Sequence, residues 1–132
     1  MQFSRLIKTL CRSCVTGTLV CGAFFSLYSF AGDVKIVNAS ASCVERVCRF
    51  DVTLEHDDTG FEHYADQWQV LDPDGNVLAT RTLFHPHVDE QPFTRSLSGV
   101  IIPDSLTRVL IAARDSVHGV APTTYSLDLD LK

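Results

Sequence analysis

Several signatures of common function classes are missing from this 132-residue chain. It contains no Gly-x-Ser-x-Gly segment and no glycine loop of the kind that cradles phosphate, so hydrolase and kinase chemistry have no foothold. No segment sustains a helical period, and there is no repeat or low-complexity tract. Basic residues are scarce, with eleven Lys and Arg against sixteen Asp and Glu. Three of the eleven, Arg5, Lys8 and Arg12, precede the apolar run CVTGTLVCGAFFSLYSF. Ser29-Phe30-Ala31 then puts small residues at −3 and −1 of a cut before Gly32, the layout of a secretory signal peptide over residues 1–31. The run is short for a spanning helix. Val20 stands where a lipidation signal at Cys21 would need a small residue, so no lipid anchor is expected there.

Removing that leader leaves a single domain, 32–132, with eight basic and sixteen acidic residues, a net charge of −8. Such a surface repels nucleic acid and anionic lipid and attracts cations, so neither a nucleic-acid partner nor a membrane partner is expected after cleavage. The location implied is periplasmic or secreted. Sulfur is also sparse: Met1 and three of the five cysteines leave with the leader, and Cys43 and Cys48 remain. Two cysteines in an exported domain most often pair, and a thiolate-only metal site would need more of them. A Cys43–Cys48 disulfide is expected.

What the mature chain does have is alternation. Cys48, Phe50, Val52 and Leu54 occupy one face of 47–55, while Arg49, Asp51, Thr53 and Glu55 occupy the other. Tyr125, Leu127, Leu129 and Leu131 repeat the pattern against Ser126, Asp128 and Asp130. A period of two with one wet face marks an antiparallel sheet over a core. With Asp72-Pro73-Asp74-Gly75 and Ile102-Pro103-Asp104 as breakers, seven strands are predicted at 33–39, 47–55, 66–72, 76–84, 92–102, 107–117 and 123–131. This is an all-β, immunoglobulin-like antiparallel sandwich with Trp68 as a core anchor.

Strand parity then sorts the connections. Each strand crosses the domain once, so successive connections alternate between its two ends. His56 and His63 bracket one connection, His85 and His87 lie in another, and His118 opens a third. All three fall at one pole, with Cys43 and the Asp-Gly turn at the other. Imidazole is the commonest protein ligand for copper, zinc and iron. In His85-Pro86-His87 an extended backbone sends both side chains to one side, and Pro86 stiffens it. Asp57, Asp58, Asp89 and Glu90 add carboxylates, as ligands or as partners that orient an imidazole. Phe61, Tyr64, Phe84 and Phe93 lie at the same end, either as an apolar rim or as packing onto the top of the core. Arg81, Arg95 and Arg114 read as outward strand residues that pair with the acidic excess.

The segments HDDTGFEHYADQW (56–68) and RDSVHG (114–119) resemble the desulfoferrodoxin and superoxide reductase family. In that family a histidine, a His-Tyr-x-x-Trp-like segment and a later Cys-Asn-x-His-Gly segment sit on an immunoglobulin-like sandwich. The resemblance implies an iron site to which His56, His63 and His118 correspond. Asp115 stands where the family has its cysteine ligand, and Gly32 to Arg49 offers no counterpart to the family's early histidine. Superoxide reduction is therefore not implied with the fold, although His85 or His87 can fill the missing place. The expectation is a metal-binding protein that uses His56, His63, His85, His87, His118 and Asp115 for Cu(II), Zn(II) or iron. A mononuclear redox enzyme and an interaction module with a protein partner at the histidine pole stay open beside it.

Overall fold

A computed structural model describes residues 33–131; the expected leader lies outside the described residues. The strands are β1 (Lys35–Val44), β2 (Val47–Glu55), β3 (Ala65–Leu71), β4 (Val77–Thr82), β5 (Phe93–Ile101), β6 (Arg108–Asp115), β7 (Gly119–Val120) and β8 (Tyr125–Asp128). One sheet has the order β1-β2-β5. The other runs β4-β3-β6, with β7 and β8 both paired to the far side of β6. Every pairing is antiparallel, and three strands face four positions in the order of an immunoglobulin-like sandwich. The alternation of β2 is realised: Cys48, Phe50, Val52 and Leu54 are buried. They meet Trp68 and Val70 of β3 and Val109, Ile111 and Ala113 of β6. Trp68 is fully buried, as its place on the third strand predicts.

Two strands differ from expectation by more than two residues at a boundary. The first strand does not stop at residue 39 but runs to Val44, closing a hairpin on β2 through Glu45 and Arg46. Ser40 and Ser42 lie beyond the strand expected at 33–39, yet an edge strand tolerates them because their side chains face outward. Glu45 and Arg46 both adopt positive φ, 48° and 67°, which a two-residue hairpin turn requires. Arg46 anchors that turn by donating to the carbonyls of Ile102, Pro103 and Leu106. Cys43 and Cys48 face each other across the hairpin and form the disulfide, with Cα atoms 4.1 Å apart. The second difference lies at the end of the chain, where the strand expected at 123–131 shortens to β8 and the two-residue β7 precedes it. Pro122 sits in the gap and has no N–H to give the ladder.

This topology sets the site. Leu54 pairs with Phe93, Gln67 with Thr82, and Ala65 with Asp115. The connections 56–64, 83–92 and 116–118 therefore leave the sandwich at one end, and every histidine lies on them. The Cys43–Cys48 hairpin and the Asp72–Asn76 turn lie at the other.

Candidate metal centre

The connection after β2 is organised by Asp58, which is buried. Its Oδ1 faces Nδ1 of His56 at 2.6 Å and accepts the Ala65 N–H at 2.9 Å. Its Oδ2 accepts the His87 backbone N–H at 2.7 Å. One carboxylate thus ties the first histidine connection to β3 and to the second connection. Gln91 adds a parallel clasp: its Oε1 accepts the His56 N–H, and its amide donates to the His87 carbonyl. An ionised carboxylate only accepts, so His56 Nδ1 carries its proton toward Asp58. In the neutral ring, Nε2 of His56 then bears the lone pair, and it is buried with no hydrogen-bond partner among the described residues.

A second carboxylate closes the other side. Asp115 ends β6, and its Oδ1 accepts the N–H groups of Val117 at 2.8 Å and His118 at 2.7 Å. His63 Nε2 lies 3.1 Å from the same oxygen and His118 Nδ1 3.2 Å. Burial alone would raise the Asp115 pKa, but the backbone N–H groups of His118 and Val117 and the charge of the His118 ring outweigh it and hold the carboxyl below its usual value. Ser116 and Tyr64 clasp the two loops through Ser116 N–H to Tyr64 carbonyl and Tyr64 N–H to Ser116 Oγ. The rings follow in sequence, His56 to His63 at 4.8 Å between centroids and His63 to His118 at 4.9 Å. One donor atom from each of His56, His63 and Asp115 lies within 4.8 Å of the others. His118 sits at the solvent edge with 45% of its side chain exposed.

His85 and His87 form a separate pair. Their ring centroids are 4.7 Å apart, so Pro86 does set both on one side. They are not part of the His56–His63–Asp115 group; His87 Nδ1 approaches it only as far as 3.9 Å from Asp58 Oδ2. His87 is buried and stacked on Phe93 at 3.8 Å, while His85 is exposed. Burial lowers the His87 pKa, helped by the charges of Arg95 and His85 and opposed by Glu90 and Asp58. The expected aromatic cluster divides in the same way: Phe93 packs inward beneath His87, whereas Phe61 and Phe84 stay exposed. Val88 and Val117 are exposed on the same connections, and Val120 is exposed on β7. Arg95 pairs with Glu90, and Arg114 lies 3.0 Å from Asp66.

Sequence reasoning named Asp58 only as one of four nearby carboxylates and did not find Gln91. The one local signal for Asp58 was its place two residues after His56. Gln91 offered none, because its partners lie 35 residues back on the chain and across a loop.

No family model matches the chain, and no solved structure matches it. A curated relative from Halomicrobium mukohataei, named "Putative lipoprotein", is 38% identical over 98 residues. That alignment covers 74% of this chain and 46% of the relative, so the chain spans about half the length of the protein it matches.

Proposed function

We propose that this chain is an exported metal-binding β-sandwich protein that holds one divalent transition-metal ion, copper, zinc or iron, among His56, His63 and Asp115. His118 stands at the open side. The observation that carries this reading is the buried, unpartnered Nε2 of His56, fixed by Asp58 on the opposite ring nitrogen. A carboxylate behind a histidine is how proteins orient an imidazole and raise its basicity toward a metal. The spacings agree. Donors at about 2.1 Å from a shared ion stand roughly 3.0–3.4 Å apart, and their imidazole centroids roughly 4.5–5.2 Å. His63 Nε2 and Asp115 Oδ1, at 3.1 Å, fall in the first range, and the neighbouring rings, at 4.8 and 4.9 Å, in the second. Nitrogen and oxygen donors favour Cu(II) or Zn(II) over Cu(I). Export is supported by the disulfide, which persists in oxidising compartments, and by the name of the relative. Calorimetric titration of the metal-free protein with Cu(II), Zn(II) and Fe(II) tests this. Binding near micromolar or tighter, lost in His56→Ala and His63→Ala, is expected; millimolar-only binding, unchanged in those variants, overturns it.

The exposed edge at His118 favours a second reading, a mononuclear redox enzyme with an open coordination position. Asp115 in place of a thiolate would alter the potential of such a centre. The loaded protein would then change its absorption on mixing with superoxide or peroxide; an unchanged spectrum removes this reading and leaves the first intact. The exposed Phe61, Phe84, Val88, Val117 and Val120 support a protein partner at the same pole. A partner that co-purifies after chelator treatment and is lost on Phe61→Ser/Phe84→Ser is the result expected of that role.

A further inference from the structure

His87 poses a problem that the centre at His56, His63 and Asp115 does not solve. Its ring is buried, and both ring nitrogens lack a hydrogen-bond partner among the described residues. A neutral imidazole has one donor and one acceptor to satisfy, and native interiors seldom leave both unmet. His87 is also held firmly: Phe93 stacks on its ring, Asp58 takes its N–H, and Gln91 takes its carbonyl. The ring beside it, His85, is solvent-exposed and engages only the carbonyl of its own neighbour Pro86, at 3.3 Å.

We propose that His85 and His87 form a second, outer site for a divalent transition-metal ion, linked to the first through Asp58. Three observations converge on it. The two rings, 4.7 Å apart, stand at the separation of imidazoles that share an ion. Nδ1 of His87 faces Asp58 Oδ2 at 3.9 Å, a looser copy of the 2.6 Å contact between His56 Nδ1 and Asp58 Oδ1. A shift of under an ångström would give both histidines the same carboxylate support, leaving each Nε2 to a metal. Two imidazoles and no sulfur select Cu(II) first and Zn(II) next, and exclude the oxygen-seeking Ca(II) and Mg(II). Water completes the coordination, because His85 lies at the surface. With fewer protein donors, the outer site binds more weakly than the inner one. The link through Asp58 rests on the inner-centre reading, whereas the outer pair stands without it.

The test is equilibrium dialysis of the metal-free protein against Cu(II), with elemental analysis and electron paramagnetic resonance of the bound copper. Two ions per chain are expected, falling to one in His85→Ala and to one in His63→Ala, with different nitrogen hyperfine patterns for the survivors. His85 is exposed, so its loss does not threaten the fold. A single ion that survives His85→Ala but not His63→Ala overturns the outer site and leaves the inner one standing. A single ion with the opposite sensitivity removes the inner centre and keeps the outer. One ion lost in both variants shows a single merged site and overturns the proposal, as does a second equivalent that appears only at millimolar copper.

Discussion

At the residue scale the molecule turns on one carboxylate. Asp58 is buried, accepts from two backbone N–H groups, and faces the Nδ1 atoms of two histidines. Asn at this position keeps the shape but offers one acceptor oxygen and no charge. Asp58→Asn should therefore weaken metal binding about 10–100-fold, measured by competition against a chromophoric chelator. Circular dichroism should stay native. Acid should also destabilise the metal-free protein. The folded His87 pKa lies below its ordinary 6.5, so the unfolded chain takes up that proton first as pH falls. Its contribution to stability is complete above about pH 6.5 and is lost as pH drops through the lower folded value. Asp115 acts in the same direction, from its ordinary 3.8 downward. The urea midpoint should decline steadily from pH 7 to 5, and His87→Gln should flatten that decline.

At the element scale the β1–β2 hairpin carries the clearest energetic expectation. The Cys43–Cys48 bridge closes a loop with a sequence separation of 5, too short to remove much entropy from the unfolded chain. Its loss through Cys43→Ser/Cys48→Ser should cost about 2 kcal/mol in chemical denaturation. Metal affinity at the opposite pole should not change. How far the sequence disclosed these elements depends on burial. Strand β2 was legible because every inward position is apolar and every outward one polar, and Trp68 marked β3 as central. The second half of β1 was not, since Ser40 to Val44 satisfies its backbone by pairing with β2 rather than by any local pattern. The pole was legible through strand parity alone, which needs only the number of crossings. The split of its histidines into an inner group and an outer pair was not, because it depends on hydrogen bonds from Asp58 and Gln91 across 29 and 35 residues.

At the scale of the whole molecule, a metal that binds only the folded chain must raise its stability. At a free concentration one hundred times the dissociation constant the gain is about 2.7 kcal/mol. For a domain of this size that corresponds to a rise in Tm of roughly 10 °C or more, reversed by chelator. A Tm indifferent to Cu(II) and Zn(II) would leave the histidine pole without an ion. The ends of the chain are also placed unequally. Lys35 pairs with Glu55, immediately before His56, whereas Asp128 pairs with Arg108 at the far end of the sandwich. Residue 33 therefore lies at the histidine end of the sandwich, and the segment after β8 lies at the disulfide end. A tether at the N-terminal side would press the histidine pole toward the surface that holds it, and one at the C-terminal side would present that pole outward. A fusion or immobilisation tag that leaves the histidine pole clear belongs at the C-terminal side.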